Sequence, residues 1–141
     1  VHIVFSTKNR RPLITPEVES ELYAYLGGIC KEHDCYPIIV GGYLDHVHIL
    51  CNHSRKIALM KLVEEVKRGS SKWMKTKGEE FSNFYWQDGY GAFSVGPQQL
   101  KATINYIANQ HEHHKDISFQ DESRALYKRY NVNYDERYVW D

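Results

Sequence analysis

The run Tyr43-Leu44-Asp45-His46-Val47-His48-Ile49-Leu50 is the point from which the rest of the chain can be placed. Apolar and polar residues alternate in it around Val47 and Ile49, two strong β-formers, so it reads as a strand. With a period of two, His46 and His48 share one face, while Val47 and Ile49 point the other way into a core. Two imidazoles one strand repeat apart on a packed backbone make half of a metal site. They are equally compatible with two half-exposed histidines on a sheet, and the strand alone does not decide.

Upstream, Val1–Ser6 is a short β-rich run, and Lys8-Asn9-Arg10-Arg11-Pro12 is a basic loop. Thr15, Pro16 and Glu17 form a helix start, with the cap, the first-position proline and the first-turn acid in order. Val18, Leu22, Tyr25, Leu26 and Ile29 continue it as one helical stripe that should end near His33-Asp34. Tyr36–Leu44 is a second strand, with Gly41-Gly42 read as a bulge or bend. Downstream of the histidine strand, Ser54 is expected to open a second helix with Leu59, Leu62, Val63 and Val66 buried. Phe81–Tyr90 is an aromatic-rich loop whose Trp86, Tyr85 and Tyr90 suit either base stacking or the core. Gly91–Val95 is a fourth strand, and Gly96-Pro97 starts a third helix. A short helix around Arg124–Tyr130 lies in the tail. Strand–helix–strand–strand–helix–strand is the split βαβ order of an α+β, ferredoxin-like or RRM-like domain. The helices should cover one face of an antiparallel sheet and leave the other free for a ligand, with a C-terminal helix added to this core.

With 141 residues and no repeat or linker, the chain reads as a single domain over 1–141. It opens at Val1 inside a strand and without a methionine, so native residues are expected before it. The formal net charge is +0 and selects no partner class. Between Arg55 and Lys77, however, eight Lys/Arg stand against only Glu64 and Glu65. That excess, with Lys67, Arg68 and Lys72 at its centre and Lys8, Arg10 and Arg11 as a second cluster, suits a phosphate backbone. Cys30, Cys35 and Cys51 are an odd set without a CxxC pair, which fits free thiols in a reducing cytoplasm. No apolar run approaches the ~18 residues of a membrane span, and no phosphate-cradling GxxxxGK[ST] loop is present.

On the third helix Leu100, Ile104, Ile107 and Ala108 form the apolar stripe. Tyr106 and Gln110 sit off it, about 40° apart and one turn from each other. A phenol and a carboxamide so placed suit a nucleophile and an oxygen ligand, or a surface tyrosine beside a solvated glutamine. His113, at i+7 from Tyr106, returns to the same face. His111 and His114 read as a polar helix end.

Taken together, His46-Val47-His48 on a strand and Tyr106-Ile107-Ala108-Asn109-Gln110 on a later helix resemble the HUH single-tyrosine transposases. These are enzymes of insertion sequences that move as single-stranded DNA. The likeness extends to HIVFSTKNRRPL near the start, WQDGYGAFSV, NQHEHH and the closing DERYVWD. Gln at position 110 fits the single-tyrosine branch, where two-tyrosine relatives carry a second tyrosine. The resemblance implies Tyr106 as nucleophile and a divalent metal, Mg²⁺ or Mn²⁺, held by His46, His48 and Gln110. It implies hairpin-forming single-stranded DNA as substrate and a homodimer as the working form. A free phenol is only about one part in a thousand phenolate at pH 7, so a cation at the scissile phosphate has a clear purpose. Asp45 is placed to orient an imidazole, and His113 to touch substrate or metal. A partial zinc set of His46, His48 and Cys51 lacks a second ligand pair. The rival from another class is a non-catalytic RRM-like nucleic-acid binder, which would carry aromatics where this chain has histidines. A domesticated, inactive relative is a third reading.

Overall fold

The computed structural model describes residues 1–141. Four strands, β1 (His2–Ser6), β2 (Pro37–Tyr43), β3 (His46–Cys51) and β4 (Gly91–Phe93), form one sheet in the order β2-β3-β1-β4, with every neighbour antiparallel. This is the split βαβ arrangement the element order predicts. Helices α1 (Pro16–Glu32) and α2 (Leu59–Met74) are its two crossovers.

Alternation along the central strands sorts the side chains. Ile3 and Phe5 of β1 and Val47, Ile49 and Cys51 of β3 join Val18, Leu22, Leu26 and Ile29 of α1 in the main core. Leu62, Val63, Val66 and Met74 of α2 complete it. Cys51 is therefore on the opposite face from His46 and His48, and the partial zinc set does not form. Trp86 is core as well: its ring packs on Phe5 and Phe84, and its indole N–H donates to Ser70 Oγ at 2.9 Å. Tyr85 and Tyr90 remain exposed.

Several details differ from the sequence reading. Ser54 does not open α2; its Oγ accepts the Lys56 N–H at 3.1 Å, closing a local turn, and the helix begins at Leu59 after an extended Ala58. β4 stops at Phe93 rather than Val95. Gly41 and Gly42 pair regularly with His48 and Val47, and the irregularity in β2 lies between Pro37 and Ile39. The two glycines are there because other backbone comes close: a Cβ on Gly42 would lie 2.2 Å from the His46 carbonyl oxygen. The third helix is broken. Gly96 leads through a 3₁₀ turn into α3 (Leu100–Ala108); Asn109 leaves helical geometry at φ −102°, ψ 22°, and α4 (Gln110–His113) follows.

The largest departure is on the second face of the sheet, which is not left open. α3, α4 and α5 (Phe119–Arg129) lie over it, and Phe119 packs with Val4 and Phe93 in a smaller core edged by Leu126, Tyr127, Tyr130 and Trp140. α5 starts five residues before the predicted Arg124 because Ser118 is its cap, with Oγ accepting the Asp121 N–H at 3.1 Å. Of the stripe assigned to α3 only Ile107 is buried; Leu100 and Ile104 are half-buried and Ala108 is exposed. No helix is long and apolar enough to cross a membrane.

Candidate active site

The site lies between the second face of the sheet and the three C-terminal helices. Strand alternation brings His2 of β1 and His46 and His48 of β3 to that face, all three buried. Each β3 imidazole is held from behind. Asp45 Oδ1 is 2.8 Å from His46 Nδ1, and His2 Nε2 is 2.8 Å from His48 Nδ1. With both Nδ1 atoms engaged, both Nε2 atoms face inward. This outer arrangement fixes the orientation of both rings.

Helices α3 and α4 supply the next groups. The break at Asn109 turns Gln110 inward, where it is 1% exposed, so it is a core residue of the site and not a solvated one. Its Oε1 is 2.9 Å from His46 Nε2 and its Nε2 donates to Glu122 Oε2 at 3.0 Å. Tyr106, half-buried, donates its hydroxyl to the same Glu122 oxygen. The His113 ring stacks edge-on against Tyr106 at 5.4 Å between centroids, and its Nε2 is 3.3 Å from Glu122 Oε2. Tyr106, His46, His48, Gln110, Asp45 and His113 thus meet in one place.

Three residues of the site were not singled out from sequence: His2, behind His48, and two at the centre. Glu122, on the first turn of α5, is buried, and its Oε1 lies 3.0 Å from His48 Nε2 and 3.4 Å from His46 Nε2. His114, read as a polar helix end, is buried instead. Its Nε2 comes within 3.1 Å of Glu122 Oε2 but off the line of a hydrogen bond, which leaves that nitrogen without a partner. A signal existed for both. His114 continues the i+4 ladder Tyr106–Gln110–His114, and Glu122 interrupts the apolar stripe Phe119–Leu126 of α5.

Electrostatics follow from this packing. Burial opposes charge on His46, but hydrogen bonds to Asp45 and Glu122 outweigh it and bring its pKa up to about 9. Burial drives His2 down to about 3 and lowers His48, so both are neutral near pH 7. Burial alone would raise Glu122; the imidazoles of His114, His46 and His48 gathered around it instead hold it well below the usual carboxylate range. The Tyr106 phenol is pushed above its ordinary value, first by burial and then by the negative charge of Glu122.

The donor set fits a divalent cation. Ligand atoms of His46, His48, His114 and Glu122 all lie within 4.8 Å of one another. The His114 nitrogen, buried without a hydrogen bond, fits such a site. The basic residues lie elsewhere. Lys8 and Arg11 are exposed, and Arg10 donates to the Trp140 carbonyl at 3.0 Å. Lys67, Arg68 and Lys72 are on α2, across the sheet from the histidines. Lys67 is committed internally: its ammonium donates to the carbonyls of Gln87, Asp88 and Gly89 at 2.7–3.1 Å. Arg68 pairs with Glu65 at 2.6 Å, and Lys72 is exposed.

A four-stranded antiparallel sheet with a histidine pair on its central strand and a tyrosine helix across it defines the class. The same fold occurs in a Deinococcus radiodurans R1 protein assigned as a transposase, with 22% identity, 77% of this chain and 88% of that one covered, and TM-score 0.60. It also occurs in a REP-associated tyrosine transposase bound to a REP hairpin, with 14% identity, coverage of 96% and 87%, and TM-score 0.61. A family model described as "Transposase IS200 like" matches residues 1–110, and the chain belongs to that family of transposases. No curated protein matches it.

Proposed function

We propose that the chain cleaves and rejoins single-stranded DNA, with Tyr106 as nucleophile. The observation that carries this reading is that the Tyr106 hydroxyl and the inward nitrogens of His46 and His48 share one buried carboxylate, Glu122. The nucleophile and the metal-ligand candidates thus occupy one site, not two faces of the molecule. In the reaction the phenol oxygen bonds to phosphorus, the P–O3′ bond breaks, and a 5′-phosphotyrosine and a free 3′-hydroxyl result. A later 3′-hydroxyl reverses the step on a new strand, so no ATP is consumed. His46, His48 and Gln110 would hold a divalent cation, Mg²⁺ or Mn²⁺, which when bound supplies positive charge at the scissile phosphate. Asp45 and His2 keep the two imidazoles turned inward.

The substrate in this reading is hairpin-forming single-stranded DNA and the working form a homodimer in the cytoplasm. The hairpin draws support from the REP hairpin bound to the tyrosine transposase of the same fold, and the dimer from the family resemblance of the HxH and Tyr-x-x-x-Gln motifs. Lys8, Arg10, Arg11, Arg68 and Lys72 are its candidate phosphate contacts. A strand that touches both α2 and Tyr106 has to pass around an edge of the sheet. The reading is tested by incubating the protein with end-labelled hairpin DNA and Mn²⁺. A denaturant-resistant protein–DNA band should form, and peptide mapping should place the DNA on Ile104–His111. A band mapping to Tyr43, Tyr85 or Tyr90 overturns the assignment, and no band from any hairpin DNA favours a non-catalytic relative.

Lys67 is expected to behave differently from Lys72. Lys67→Met leaves three carbonyls without their donor and should lower stability by about 1–3 kcal/mol. Lys72→Met should leave the melting temperature unchanged and reduce the salt dependence of DNA binding by roughly 0.7 in the log–log slope. Thermal melts and salt-titrated binding of the two variants measure both effects.

A further inference from the structure

We infer that Glu122 is itself a ligand of the divalent cation, binding through Oε1 beside His46 and His48. The inference rests on the metal reading given above and adds to it a residue that lies beyond the segment 1–110 matched by the family.

Three observations carry it. The first is spacing. Adjacent ligand atoms around one ion, each about 2.1 Å from it, stand roughly 3.0–3.4 Å apart in octahedral or tetrahedral arrangements. His46 Nε2 to Gln110 Oε1 is 2.9 Å, His48 Nε2 to Glu122 Oε1 is 3.0 Å, and His46 Nε2 to Glu122 Oε1 is 3.4 Å. The second is charge. Glu122 is buried, and every ion-pair partner it has is a histidine: His46, His48, His113 and His114. A buried carboxylate whose ion-pair partners are all imidazoles, with no lysine or arginine, is a common setting for a hard cation. The third is the division of labour between its oxygens. Oε1 faces the two β3 histidines, while Oε2 receives Tyr106 and Gln110, so one oxygen is directed at the ligand side without giving up the contacts of the other.

The consequence separates this site from one built on His46, His48 and Gln110 alone. Those three are neutral as ligands, and such a site depends on the DNA phosphate for negative charge. With Glu122 the protein carries that charge itself and should take up the cation before DNA arrives. The experiment is Mn²⁺ binding to the full chain without DNA, followed by the loss of the free-ion electron paramagnetic resonance signal. Wild type should bind one Mn²⁺, His48→Ala should abolish binding, and Glu122→Gln should weaken it at least tenfold. The second measurement needs no variant: wild-type protein labelled with ¹³C at every glutamate δ-carboxyl should show a ¹³C hyperfine coupling to bound Mn²⁺, since Glu122 is the one glutamate in the cluster. Binding by Glu122→Gln within twofold of wild type, or absence of the ¹³C coupling while His48→Ala abolishes binding, overturns the inference and leaves the metal reading intact. Unchanged binding in His48→Ala overturns both.

Discussion

Tyr106→Phe is expected to form no covalent protein–DNA adduct while retaining hairpin binding and Mn²⁺ uptake. The change removes one oxygen and keeps the ring that packs against His2, His48 and His113. The hydroxyl is one of several donors to Glu122, and His48 and Gln110 still reach that carboxylate, so stability should move by at most about 1 kcal/mol. Activity, by contrast, has no substitute. Among the eleven tyrosines of the chain, Tyr106 is the one whose hydroxyl reaches the carboxylate shared with the histidine pair. Denaturing gels of the variant with labelled hairpin DNA should be blank where wild type gives a band. An adduct of wild-type intensity in Tyr106→Phe would move the nucleophile to another residue.

The second large effect is remote from the chemistry. Gly41 of β2 pairs with His48, and its open side faces α3. A Cβ there would lie 2.8 Å from the Ile107 carbonyl oxygen and 2.9 Å from Ile107 Cγ2. The carbonyl is backbone and cannot turn aside as a side chain could, so Gly41→Ala has to push α3 off the sheet. Overpacking of this kind costs about 1–3 kcal/mol. Because α3 carries Tyr106 and leads directly into Gln110, the same displacement separates both from the histidines. Gly41→Ala should therefore lower the melting temperature and reduce adduct formation more than tenfold, with the β1–β3 core intact. Adduct formation at the wild-type rate would show that α3 is placed by something other than this contact.

How far the site was legible depends on which periodicity carried each residue. The period of two in β3 is short-range and robust, so it separated His46 and His48 from Val47 and Ile49 without tertiary information. Tyr106 and Gln110 followed from one helical turn, although the break at Asn109, which turns Gln110 inward, leaves no trace in the i,i+4 spacing. Glu122 was hidden for a different reason. It sits in Asp121-Glu122-Ser123-Arg124, where its place in the Phe119–Leu126 stripe is the one hint that it differs from a solvated charge, and the packing of α5 onto Val4 and Phe93 gives it a neighbourhood. The second face of the sheet was expected to be open because split βαβ order accounts for two helices; three more, docked by Ile107, Phe119 and Leu126, lay outside that pattern. Lys67 shows the opposite error. Net charge counted it as free, whereas its ammonium is consumed by three carbonyls.

The order of synthesis gives the placement of Glu122 a further meaning. As the chain leaves the ribosome, β1, β2 and β3 can pair, and α1 can pack beneath them, while the whole of α5 is still unmade. During that interval the histidine pair exists without its carboxylate, and for most of it without the tyrosine as well. The protein is thus assembled with its reactive group added late and its charge balance closed last, after the scaffold is in place. A ribosome stalled before Glu122 would display a folded sheet with an incomplete centre, and a completed chain would close it only when Phe119 docks.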